Sequence, residues 1–150
     1  MFEILLSGGK ELNAKFQLAK RAVENGNKKM LDVATLMVQG KAKEYAPVDK
    51  STLRKSILRE FDSDTGKVGS NLEYAKYQEF GTGIYGPKGT PIVPKRAKVL
   101  AWKSKSGQWI FARSVSGVRP KMFLFNSLAY LKKNIKQVLD IASKAIINGL

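Results

Sequence analysis

The densest clustering of interactive side chains lies between residues 98 and 113. There Lys98, Lys103, Lys105 and Arg113 are interleaved with Trp102, Trp109 and Phe111. Aromatic faces stack on bases and Lys or Arg neutralise phosphates, so the interleaving suits a nucleic-acid platform. The same aromatics also suit a half-buried sheet: Trp102 shares strand parity with Leu100, and Trp109 with Phe111, so each set forms one face. The parity favours packing. Reaction chemistry has weaker candidates. The chain has no His and no Cys, which removes the commonest general base, the commonest transition-metal ligand and every thiolate or disulfide. Asp62 and Asp64, in a turn ending at Gly66, begin like a calcium loop, but Gly66 falls at the fifth position where the loop needs its glycine at the sixth. They read as turn formers. Ser51, Lys55 and Ser56 lie close together without a nucleophile elbow. Gly86-Pro87-Lys88-Gly89-Thr90 lacks the spacing of a phosphate loop. The expectation is a protein that is not an enzyme, with no cofactor, no metal and no small-molecule substrate.

Charge says more about partners. The formal net charge is +15, and no Asp or Glu occurs from Phe80 to Leu139. That span holds Lys88, Lys95, Arg96, Lys98, Lys103, Lys105, Arg113 and Arg119, followed by Lys121, Lys132, Lys133 and Lys136. A long one-signed stretch repels itself, so it implies an acidic counterpart: nucleic acid, an anionic surface or an acidic protein face. A simply solvated basic surface is the alternative. No apolar run approaches the roughly 20 residues that cross a bilayer. The first residues lack the basic flank and the longer apolar core of a signal peptide. The expectation is one domain over 1–150, in the cytoplasm and away from membranes.

The elements that would position these groups follow from periodicity. Phe2 to Leu6, ended by Ser7-Gly8-Gly9, reads as an edge strand or docking arm over 1–9. Leu12, Phe16, Ala19 and Val23 form a helical stripe, and Asn25-Gly26-Asn27 predicts a stop and a fresh start. Met30, Val33, Met37, Val38, Ala42 and Tyr45 continue as a second helix that Pro47 ends. Asp49 or Ser51 is placed to cap a short turn. A first hairpin runs out to Phe61 and returns over Lys67 to Asn71. Tyr74, Tyr77 and Phe80 recur at helical spacing until Gly81, where a Gly/Pro-rich loop over 81–97, expected to be flexible, takes over. A second hairpin pairs 98–102 with 108–112. A last helix begins near Met122 and presents Leu128, Leu131, Ile135, Val138, Leu139, Ala142 and Ile146 on one face. With no βαβ alternation the class is α+β: an antiparallel sheet of two hairpins packed against long N-terminal and C-terminal helices.

Three segments also share an order and spacing with a known family. They are Ala46-Pro47-Val48-Asp49 with Leu53-Arg54 and Ser56-Ile57; Tyr74-Ala75 with Glu79-Phe80-Gly81-Thr82; and Arg119-Pro120 with Phe123-Leu124. Together, over about Ala42 to Leu139, they resemble the neck or tail-completion (head–tail joining, minor tail component) proteins of long-tailed, lambda-like bacteriophages. Lys50-Ser51 stands where Thr-Gly is usual, and Met122 where Pro often precedes Phe. The resemblance implies an α+β virion protein of the neck, without enzymatic activity, present in the host cytoplasm before assembly. It implies a ring, hexameric by tail symmetry, stacked on head-closure, tail-terminator or tail-tube rings, with the basic side chains facing acidic protein or the DNA in the neck. Arg54 and Glu79 read either as an ion pair joining the first hairpin to the central segment or as two separate surface charges.

Overall fold

A computed structural model describes residues 9–48 and 51–149, so the 1–8 part of the expected arm, and Asp49, lie outside the described residues. Helix α1 spans Gly9–Tyr45, about 55 Å at 1.5 Å per residue. A short α2 (Thr52–Ser56) leads into the hairpin β1 (Ile57–Phe61) and β2 (Gly66–Ser70). Helix α3 (Ala75–Phe80) and one 3₁₀ turn at Gly83–Tyr85 follow, then the hairpin β3 (Leu100–Lys103) and β4 (Trp109–Ala112). Helices α4 (Phe123–Lys133) and α5 (Ile135–Ile147) complete the order, both packed on α1.

The α+β class and the long helices at both ends are as the periodicity predicts. The hairpins, however, form two separate antiparallel two-stranded sheets rather than one joint sheet. The first lies on α1, with Arg59 opposite Val68 and Phe61 opposite Gly66. Arg59 donates to the Asp32 carboxylate at 2.6 Å, and Gln39 of α1 donates to the Ile57 carbonyl at 2.9 Å. The second hairpin, Leu100↔Ala112 to Lys103↔Trp109, is largely exposed.

Three local expectations need correction. Asn25-Gly26-Asn27 does not interrupt α1, which is continuous. Gly26 is buried, and a Cβ there would run into Ile146 of α5, with Cδ1 at 2.8 Å. The glycine serves close helix packing, and that contact outweighs its low propensity. Ser51 precedes α2 in a left-handed conformation, φ 57°, and makes no side-chain cap. The last helix is two helices, broken at Asn134 (φ −110°, ψ 16°), whose amide donates back to the Tyr130 carbonyl at 2.8 Å. Such local side-chain bonding is how Asn competes with helix continuation.

Burial is concentrated where α1 ends. Ala42, Ala46, Leu53, Ile57, Ala75 and Phe123 form one core, with Val68, Leu72 and Leu124 packed against it. Nearer the start of α1, the buried Gly26 faces Ile146 and the Ala142 carbonyl of α5, and the buried Ala22 faces Gly149 just beyond it. The stripe Leu12, Phe16, Val23, by contrast, remains exposed.

Candidate functional site

Phe123, fully buried, is the point on which the three motif segments converge. Leu53 and Ile57 reach it from the first segment and Ala75 from the second. Arg54 holds the first segment to the end of α1, donating from Nε to the Ala46 carbonyl and from Nη2 to the Glu44 carbonyl, each at 3.3 Å. A cation on the last carbonyls of a helix satisfies acceptors that have no intrahelical donor. Pro47 is half-buried beside this contact.

Glu79 is 6% exposed, and its partner is not Arg54. Its Oε2 accepts from the Leu124 amide and its Oε1 from the Phe125 amide, both at 2.9 Å. Met122, the residue before helix α4, is in a left-handed conformation (φ 50°) and gives the helix no side-chain cap. Glu79 supplies it from α3, where a carboxylate also meets the positive end of the helix dipole. The ion-pair reading of Arg54 and Glu79 is therefore replaced by two separate caps. The sequence shows two oppositely charged residues in successive motif segments. It does not show that a helix N-terminus arrives beside Glu79.

The rest of the motif completes the joint. The Gln78 and Glu79 carbonyls accept from Lys121 and Met122 at 2.7 and 3.2 Å. Gly81 sits at φ 76°, where side chains are strained, and a Cβ would stand 2.9 Å from Pro120 Cδ. Thr82 donates from its backbone to the Val118 carbonyl and accepts the Val118 amide on Oγ1, both at 2.9 Å. Tyr74 is exposed, but its carbonyl opens α3 by accepting from Tyr77 and Gln78. Phe80 is 62% exposed and walls two neighbouring grooves. The loop that follows is laced at both ends, by Ile84 to Ser116 and by a bridge between Ile92 and Val115.

The basic candidates lie elsewhere. Lys88, Lys95, Arg96, Lys98, Lys103, Lys105, Arg113 and Arg119 are all exposed. Among the described residues none of them has a carboxylate within ion-pair distance. Trp109 and Phe111 stack at 6.3 Å between ring centroids, and Lys103 lies over Trp109 at 5.3 Å. Trp109 is 59% and Phe111 64% exposed, so packing within the chain, which the parity favours, does not account for this face. Asp62 spends both carboxylate oxygens on its own turn, accepting from the amides of Asp64 and Thr65 at 2.7 Å and from the Thr65 hydroxyl at 2.8 Å. Those amides hold its carboxyl below the usual carboxylate range. Among the described residues no group of acidic side chains is arranged to hold a metal ion, and no helix is long and apolar enough to cross a membrane.

The fold and this joint define an α+β scaffold whose recurrent residues lock chain segments to one another. Over residues 10–81 the chain matches the family described as Bacteriophage HK97-gp10, putative tail-component. Over that segment, a little under half of the chain, the protein is similar to the HK97-gp10-like phage tail-component family. The match takes in α1, the first hairpin and the Glu79-Phe80-Gly81 end of α3, whereas Pro120 and Phe123, which those residues hold, follow it. A search of curated proteins found no match, and a search of solved structures found none.

Proposed function

We propose that this chain is a non-enzymatic structural virion protein that completes the neck of a tailed phage or prophage and joins tail to head. It would act by assembling into a ring, hexameric by the symmetry of the tail, with connector proteins on either side. The observation that carries this reading is how the family residues are used. Arg54, Glu79, Gly81 and Thr82 direct their contacts to backbone of this chain, as parts of a rigid joint and not of a reaction centre. What is left facing outward is exposed cation and exposed aromatic, the material of contacts with acidic ring faces or with DNA in the neck. The test is electron microscopy of a lysate from a phage with a stop codon early in this gene. Filled heads and finished tails that stay apart, and rejoin when the purified protein is added, are expected. Intact particles in normal number would reject the reading.

A second reading has its own observation. The exposed Trp109–Phe111 pair beneath Lys103 suits a nucleic-acid-binding module built on the 98–113 hairpin. Tight binding to a DNA oligonucleotide with a steep loss of affinity in salt would favour that module. Weak retention would favour the connector.

A further inference from the structure

The face of α1 that packs on α5 does not end where α5 ends. A Cβ on Gly149 would stand 3.2 Å from the Ala22 Cβ, so the turns of α1 before Ala22 run on past that point for about 20 Å. Leu12 and Phe16 on these turns, with Val23 one residue past Ala22, prolong the apolar stripe of α1 and are 57%, 65% and 46% exposed. Elsewhere lies a groove of 430 Å³ between α1, β2, α3 and α4, lined by Leu31, Val38, Phe80, Phe125 and Leu128 among others. Phe80, Phe125 and Leu128 are 62%, 65% and 44% exposed there. Stripe and groove cannot meet within one molecule. Phe16 and Leu31 sit on the same unbroken helix, about 22 Å apart along its axis.

We propose that the N-terminal turns of α1 in one copy lie in this groove of a second copy. The inference deepens the ring reading above and rests on it. Two different surfaces meet, so the contact is head-to-tail and repeats from copy to copy, closing into a ring when the rotation allows. The recognition is an amphipathic helix in an apolar groove, with Leu12, Phe16 and Val23 as anchors. The contact covers six large apolar side chains that are 44–65% exposed on the single chain, and each copy makes it twice, once with each surface. A stripe-to-stripe dimer would cover the anchors but leave Phe80 and Phe125 in water.

The absence of Cys makes the test direct. Phe16→Cys and Leu128→Cys alter exposed positions, so each variant is expected to melt close to the parent. Mixed and oxidised, they are expected to give the mixed disulfide in about tenfold or greater excess over either homodimer, because the contact raises the local thiol concentration. No mixed dimer at high protein concentration overturns the proposal. So does a dominant Phe16→Cys homodimer, which would mean that stripe pairs with stripe. A Phe16→Cys thiol shielded from alkylation in the dilute monomer also overturns it, since the stripe would then be covered by its own chain. If the mixed dimer fails while the parent protein still rejoins heads and tails, this contact falls and the joining role stands. If it forms in a protein that rejoins nothing, the contact stands and the joining role falls.

Discussion

At the residue scale the molecule turns on groups whose value lies in what they cap. Glu79 satisfies two amides at the start of α4, a helix with no cap of its own. Glu79→Ala would orphan both and is expected to cost about 2–3 kcal/mol. Thermal melting should show this as a fall of about 5–10 °C. Arg54→Ala should cost less, about 1 kcal/mol, because its two bonds are long and partly solvated. Charge reversal at both positions should give no rescue, since no pair joins them. The acid limb of stability belongs here too. Asp32 is held below the ordinary carboxyl value chiefly by its hydrogen bond from Arg59, and Asp62 by the amides of Asp64 and Thr65. Both folded-state values are depressed, so their contribution is fully present above the ordinary value, about 3.9, and is lost as pH falls through the depressed ones. Urea midpoints measured downward from neutral pH should therefore drop more steeply for the parent than for Asp32→Asn with Asp62→Asn.

At the element scale the two glycines inside α1 make opposite predictions. Gly40 has nothing within 4 Å of a built Cβ and is exposed, so Gly40→Ala should stabilise by about 0.5–1 kcal/mol through helix propensity alone. Gly26 faces Ile146 across the α1–α5 contact. Gly26→Val should force the helices apart and cost about 1–3 kcal/mol. Denaturant midpoints of the two variants should move in opposite directions. The β3–β4 hairpin is a different kind of element, with its Trp109–Phe111 face turned outward. Trp109→Ala should leave stability within about 0.5 kcal/mol, as exposed substitutions do, and so can be used to ask what the hairpin touches without unfolding it.

At the scale of the whole molecule, charge and apolar surface are left over together. The span from Phe80 to Leu139 carries no acid, and its eight candidate cations are exposed. Phe16, Phe80, Phe111 and Phe125, each more than 60% exposed, are costly surfaces for a solitary chain. A protein built to be covered by neighbours accounts for both. Raising salt should weaken its hold on an acidic partner or on DNA, while the apolar stripe-and-groove contact should hold or strengthen. Sedimentation of the protein alone across a salt series checks the second half of that expectation.

The sequence by itself determined the local periodicities: the α1 and α4–α5 stripes, both hairpins within a residue or two, the loop at Gly81, the one-signed charge and the resemblance to a phage tail-component family. Each depends on neighbours along the chain, where spacing and side-chain type decide. Only the tertiary structure decided what those features are for. Gly26 reads as a break until α5 lies against it, and Glu79 reads as half of an ion pair until the start of α4 arrives beside it. Trp109 and Phe111 have the parity of a buried face, yet among the described residues no layer covers them. For Gly26 and Glu79 the deciding partner lies tens of residues away, and which distant backbone or side chain arrives is set by packing around Phe123 and along α1, which spacing alone does not encode.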